Sequence, residues 1–279
     1  MSYAIRAMTR GDLDVALGWA REEGWNPGLD DAGAFYSADP SGFLMGFLDG
    51  EPIASISVVK YGADFAFLGL YIVRPTHRGK GYGKATWDAG IASAGDRTIG
   101  LDGVVAQQDN YRKSGFVLAH RSARWGGRIS ELPEPITGVR SLGASDLPTV
   151  FAYDEIHFPS HRETFLREWI GQPARTSAGA FDSGRVRGYG VIRRAVDGWK
   201  IGPLFADSAV VAEALVANLA RSAGQEPIFI DIPDPNTAGK AMARRLGLTP
   251  AFETARMYRR PAPSLPLDRI YGITTLELG

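Results

Sequence analysis

An α/β fold built twice over is what the sequence predicts, and three observations predict it. Strand-like and helix-like segments alternate along the whole chain. A weak, ordered repeat relates its front and rear halves. A hairpin signal and a glycine-rich loop then fix how the elements of the front half follow one another. The repeat is found first. Ala4–Leu13 (AIRAMTRGDL) and Gly138–Leu147 (GVRSLGASDL) align at an offset of 134, pairing Arg6 with Arg140, Asp12 with Asp146 and Leu13 with Leu147. The same offset pairs Phe47 and Gly50 with Phe181 and Gly184. Further on, Ile99–Asp102 resembles Ile228–Asp231, and Gly115-Phe116 resembles Gly247-Leu248. Collinear order along the chain makes chance a poor explanation. The duplication implies two domains, 1–128 and 129–279, joined through the Gly- and Pro-rich stretch Gly126–Gly138.

The front half reads as follows. Tyr3–Met8 alternates like a strand, and Thr9-Arg-Gly-Asp12 has the spacing of a capping box. Leu13, Ala16, Leu17 and Ala20 share one helical face, and Gly24 ends that helix. Phe43–Leu48 and Ile53–Tyr61 flank the turn Asp49-Gly50, a hairpin. Phe65–Val73 is apolar on both faces and therefore a central strand. A helix over Gly83–Ala94, a strand over Thr98–Asp102 and the end of a helix at Asn110–Ser114 follow. The tail from Pro261 is rich in proline, then carries a strand-like run within Leu267–Leu278 for which the duplication supplies no reason.

Composition narrows the function. The chain has 279 residues, of which 31 are basic and 31 acidic, a formal net charge of zero. Nucleic-acid and membrane-surface binders carry a basic excess, so neither partner is expected. Cysteine is absent, which excludes disulfides, thiolate metal sites and a cysteine nucleophile. The longest apolar run, Phe65–Val73, is far short of a membrane span. No basic-then-apolar segment opens the sequence, so a cytoplasmic protein is expected.

One segment carries chemistry. Val73-Arg-Pro-Thr-His-Arg78-Gly79-Lys80-Gly81-Tyr82-Gly83 lies between the central strand and a helix. Glycines at alternate positions let successive N–H groups turn into one concavity, and the helix behind adds partial positive charge. Such a nest suits a diphosphate, with Arg78, Lys80 and Lys84 as counter-charge. The loop lacks both the lysine-hydroxyl ending of a nucleoside-triphosphate loop and the dinucleotide G-x-G-x-x-G spacing.

This segment, V-x-P-x-x-R-G-x-G-x-G, is similar to the coenzyme A signature of the GNAT acetyltransferase superfamily. Tyr111-Arg-Lys-Ser-Gly115-Phe116 resembles the family's Y-x-K-x-G-F element, in order and at a compatible distance. The resemblance covers about Ser2–Gly126. It implies two GNAT-like domains, each with a mixed, mostly antiparallel sheet flanked by helices and a V-shaped splay of strands for the cofactor. It also implies acetyl-CoA as cofactor without a metal, held by Tyr71, Ile72, Val73, Arg78, Gly79, Lys80, Gly81, Tyr82, Gly83 and Lys84. Tyr111 would then be the acid that protonates the leaving thiolate, and main-chain N–H groups of Tyr71–Val73 would hold the thioester carbonyl. In the rear half the corresponding loop, Ala206–Ala214, has no glycine and two carboxylates, and Ala243 stands at the tyrosine position. That arrangement resembles tandem-GNAT, YitH-like proteins whose second domain is degenerate, and implies one that no longer binds cofactor but walls the acceptor site.

The base is open. Asp102 is the nearest acidic candidate by topology, with His120, His157 or a water chain as alternatives. Trp25, Asp30 and Asp31, in the loop after the first helix, suit an amine or cation. Asp154–Arg162 is offered as a further acceptor contact or as helix-face packing; Pro159 rules against a metal pair at His157 and His161. The expected activity is transfer of an acetyl group to a small-molecule amine by a monomer or homodimer. A non-catalytic acyl-CoA sensor, and an acetyltransferase acting on a protein or an aminoglycoside, are the alternatives.

Overall fold

A computed structural model describes residues 2–134 and 136–279. The front half runs β1 (Tyr3–Ala7), α1 (Arg10–Glu22), α2 (Asp31–Ala38), β2 (Phe43–Leu48), β3 (Glu51–Tyr61), β4 (Phe65–Val73), α3 (Tyr82–Ser93), β5 (Thr98–Val104), α4 (Gln108–Lys113) and β6 (Phe116–Gly127). The rear half repeats that order: β7 (Val139–Ser141), α5 (Leu147–His157), α6 (Glu163–Gly171), β8 (Arg175–Asp182), β9 (Arg185–Arg194), β10 (Trp199–Ala206), α7 (Ala209–Ala220), β11 (Ile228–Pro233), α8 (Thr237–Arg245) and β12 (Thr249–Arg259). One short strand, β13 (Ile270–Gly272), follows in the tail.

The repeated residues do the same work twice. Arg6 pairs with Asp12 at 2.7 Å and lies 4.2 Å over the Phe47 ring. Arg140 pairs with Asp146 at 2.7 Å and lies 4.2 Å over Phe181. In both halves the carboxylate also accepts from a backbone N–H at the start of its helical turn, Thr9 or Gly143, which fixes the helix entry against the first strand.

A single sheet joins the halves, in the order β1-β2-β3-β4-β5-β12-β6-β11-β10-β9-β8-β7. The last strand of each half has crossed into the other. β12 lies antiparallel between β5 and β6, and β6 lies antiparallel between β12 and β11. Most neighbours are antiparallel; β4–β5 and β10–β11 are parallel. Helices cover the faces, and one apolar core takes residues from both halves, including Phe35, Phe43 and Phe67 with Trp169, Tyr189 and Leu278. Burial of these rings, at about 25 cal/mol per Å² of apolar surface, makes the halves interdependent. No helix among the described residues is long and apolar enough to cross a membrane.

The tail has its reason here. β10 and β11 pair only at Trp199–Ile201, then part. β13 enters that gap, pairing Leu204 with Gly272 and Phe205 with Ile270, while Ile273 N donates to Asp231 O at 2.9 Å.

Candidate active site

In the front half the equivalent gap stays open. β4 and β5 pair from Phe65↔Thr98 to Leu68↔Leu101. Beyond Leu101, β5 parts from β4 but stays paired on its other edge with β12, with Asp102 opposite Arg256 and Val104 opposite Thr254. β4 instead bulges. Gly69 is opposite Ser57 and Ile72 opposite Ser55, so Leu70 and Tyr71 face Ile56 alone. Leu70 takes φ +45°, costly for a branched side chain, and Ser55 Oγ donates to its carbonyl at 2.7 Å. The bulge turns β4 away from β5 and leaves a cavity of about 620 Å³.

The glycine-rich loop forms one end of it. Gly79 (φ +75°) and Gly81 (φ +89°) take conformations that L side chains avoid, and a Cβ on either would meet open space. Gly81 caps α3 without a side-chain hydrogen bond, so the first-turn amides are unblocked. Gly83 seats the helix, since a Cβ there would come within 2.8 Å of the Tyr71 hydroxyl and 3.1 Å of Val73. Tyr71, Ile72, Val73, Arg78, Gly79, Gly81, Gly83 and Lys84 all line the cavity. Lys80 and Tyr82, from the same predicted set, do not: Lys80 Nζ reaches Thr76 O at 2.9 Å, and Tyr82 packs on Tyr3. The two cavity-lining cations have carboxylate partners, Arg78 with Glu23 and Lys84 with Asp88, in half-exposed pairs that a stronger anion can displace.

Tyr111 stands on the opposite wall. α4 carries it onto the Trp87 ring, with centroids 5.7 Å apart, and Gly103 leaves no Cβ to obstruct it. Burial, with Tyr71 nearby, pushes its phenol up to about 12, so it remains a proton donor throughout the neutral range. Asp102 also lines the cavity, but Arg256 grips its carboxylate at 2.8 and 2.6 Å. His120 and His157 are elsewhere, on a separate small pocket, and burial lowers the affinity of both for protons.

Of the three residues expected to meet an amine, only Trp25 reaches the cavity. Its loop is docked on the rear half, where Asn26 exchanges hydrogen bonds with Asp197 at 3.0 and 2.8 Å, and on β6, whose Arg124 donates to Trp25 O at 2.9 Å. Asp31 is buried and accepts from Arg193 at 2.9 Å and Arg175 at 3.3 Å, while Asp30 is exposed and gives its carbonyl to Arg175. The Asp31 carboxylate and the Asp30 carbonyl thus tie the halves together. Asp154–Arg162 is packing as well, its two named residues forming a buried two-pronged pair at 2.8 and 2.7 Å.

The rear half adds wall residues that the sequence did not suggest: Phe252 and Thr254 of β12, and Leu276 and Glu277 of the tail. The strand-like tail was the available signal, but its destination depends on the strand exchange. The rear loop itself differs from the front one. Ser208 caps α7 through its side chain, accepting from Val211 N, and β13 occupies the gap beside β10.

Comparison with known proteins agrees with this geometry. Residues 12–116 match the acetyltransferase (GNAT) family and residues 150–272 an acetyltransferase (GNAT) domain. A holothin acyltransferase of Pseudoalteromonas is 34% identical over 94% of this chain and 89% of its own. YitH, an uncharacterized N-acetyltransferase of Bacillus subtilis, is 24% identical over 83% of each chain. Among solved structures, a candidate acetyltransferase from Pyrococcus horikoshii shares the fold with a TM-score of 0.84 and 22% identity, covering 99% of this chain and 96% of that one. A tandem GNAT protein from the clavulanic acid biosynthesis pathway gives 0.66 and 14% identity, covering 94% and 100%. The chain belongs to the GNAT acyltransferase family and is a tandem of two GNAT domains.

Proposed function

We propose that the chain moves an acetyl group from acetyl-CoA directly to the amine of a small molecule, in the front domain. The continuity of the cavity carries this reading, because the glycine nest, the bulged strand and Tyr111 all face one space. Main-chain donors at Gly79–Gly83, with Arg78 and Lys84, suit the diphosphate of the donor. The splay between β4 and β5 suits its pantetheine arm. N–H groups along Tyr71–Val73 would polarise the thioester carbonyl, an effect worth a few kcal/mol. Tyr111 would protonate the departing thiolate.

The rear domain serves this reaction as a wall of the acceptor site. Its own gap is filled by β13, and its loop offers Ser208 and Asp207 in place of a nest. The relative named for acylating holothin supports a small-molecule acceptor for this chain, as a class.

Calorimetry with acetyl-CoA and thiol release across a panel of primary amines test the reading together. One cofactor per chain and amine-dependent thiol release are expected. A stoichiometry of two would overturn the division of labour between the domains, and tight binding without turnover on any amine would overturn the transfer.

A further inference from the structure

Three carboxylates line the cavity among the described residues: Glu23, Asp102 and Glu277. Arg78 pairs with the first and Arg256 with the second. Glu277 differs. It is 3% exposed, and its Oε2 is buried without a hydrogen-bond partner. Leaving a carboxylate oxygen buried and unbonded costs more than an ordinary hydrogen bond returns, so a donor belongs there.

The surroundings hold Glu277 in place and leave its head free. Gly279 N donates to Thr275 O at 3.1 Å and Leu278 N to Thr275 Oγ1 at 2.9 Å, closing a tight turn around it. Tyr61 of β3 donates to Leu278 O at 3.2 Å. The carbonyl of Glu277 sits against Gly69, beside the bulge, where a Cβ would collide with it. Arg124 and Lys200 act on the carboxylate electrostatically from β6 and β10. Arg124 already spends its guanidinium on Asp231 of β11 and on Trp25 O; Lys200 donates to Asn26 O. Both cations therefore have hydrogen-bond partners other than the Glu277 carboxylate.

We propose that Glu277, delivered by the tail of the rear domain into the front domain's cavity, accepts the N–H of the acceptor amine and takes its proton as the acyl group is transferred. This rests on the transfer reading above. The amine nitrogen bonds to the thioester carbon, the carbon–sulfur bond breaks with its electron pair on sulfur, the nitrogen's proton goes to Glu277, and Tyr111 gives its proton to the thiolate. Solvent then returns one proton to Tyr111 and removes one from Glu277. The tail thereby does two things at once: it closes the rear domain's gap and supplies the front domain's missing carboxylate.

Glu277→Gln and Glu277→Asp test this with acetyl-CoA and the best amine of the panel. Glu277→Gln is expected to bind acetyl-CoA within twofold of the parent. Its kcat/KM for the amine should fall about 100-fold, and it should lose the decline in rate toward acid pH. Glu277→Asp should recover at least tenfold over Gln and keep that acid decline. Should melting curves show Gln unfolded, the Asp variant stands alone, with a loss of tenfold or more at unchanged acetyl-CoA affinity expected. A parent that turns over while Gln, or a lone Asp, matches it within threefold removes Glu277 alone, as does an acid decline persisting in Gln. A parent that binds acetyl-CoA and acylates no amine removes the transfer reading itself.

Discussion

Asp102 of the front domain and Arg256 of the rear domain face each other across β5 and β12 in a two-pronged pair of 2.8 and 2.6 Å, with side chains 0% and 7% exposed. Burial works against the guanidinium's charge, but Asp102 more than restores it and holds Arg256 above its ordinary range. A carboxylate so engaged is a fastener between a front-half strand and the strand that crosses to it from the rear half. Asp102→Asn should therefore cost about 3–5 kcal/mol of stability by leaving Arg256 buried and unpaired. Denaturant melts check the loss. A stable variant with an altered pH–rate profile would return Asp102 to catalysis.

The same pair explains what the sequence can and cannot say. Arg6, Asp12 and Phe47 announce their counterparts Arg140, Asp146 and Phe181 because each trio is local: strand, helix entry and hairpin lie within one half. The nest is legible for the same reason, since glycine spacing dictates backbone conformation at Gly79 and Gly81 directly. Asp102 is ambiguous because its partner lies 154 residues away, on a strand that has crossed from the other half. Asp31 misleads likewise. A carboxylate beside Trp25 reads as a cation site until Arg175 and Arg193 arrive from the other half. Glu277 is invisible until the tail's path is known, because nothing in Leu276-Glu277-Leu278 marks it from an exposed acid.

Gly81→Glu tests the nest. At φ +89° any side chain strains the loop, and a carboxylate would bring its charge into the space proposed for the diphosphate. Acetyl-CoA binding by calorimetry should be lost while the melting temperature falls only slightly. Unchanged affinity would show that the donor binds elsewhere.

Tyr111→Phe separates acid catalysis from packing. The ring's stacking on Trp87 survives the substitution, so acetyl-CoA affinity should stay within about twofold. Loss of the proton donor should lower kcat about 100-fold where chemistry limits turnover. Because burial raises the phenol to about 12, the parent's rate should show no fall attributable to Tyr111 below about pH 11. A decline centred near pH 10 would mean that the tyrosine is in ordinary contact with water.

Lys200 gives the interface a pH signature. Burial, with Arg124 adding repulsion, lowers its ammonium to about 8, even though Glu277 and Asp231 pull the other way. Between about pH 8 and the usual lysine value near 10.4 the unfolded chain binds more protons than the folded one, so stability rises with pH across that window. Below it both states are protonated and the folded chain bears the full cost of the buried charge. The stability of the parent relative to Lys200→Met should thus improve by about 3 kcal/mol from pH 8 to 10.4, measured by urea unfolding. The tyrosines that ionise at high pH are common to both proteins and drop out of the difference. A flat difference would place the Lys200 head in water.

Gly69→Ala asks whether the tail is locked to the bulge. The new methyl would collide with the backbone carbonyl of Glu277, and a backbone atom in a closed turn has little room to yield. The added carbon should cost about 1–3 kcal/mol, as overpacking does. The strain should fall on the side that can move, which is the turn at Thr275–Gly279, since β4 is paired with β3 on both sides of its bulge. Hydrogen exchange at Leu278 and Gly279 should then accelerate more than at β4, and amine acylation should drop while acetyl-CoA binding at the nest persists. Exchange that accelerates equally in β4 would show the bulge, and not the tail, giving way.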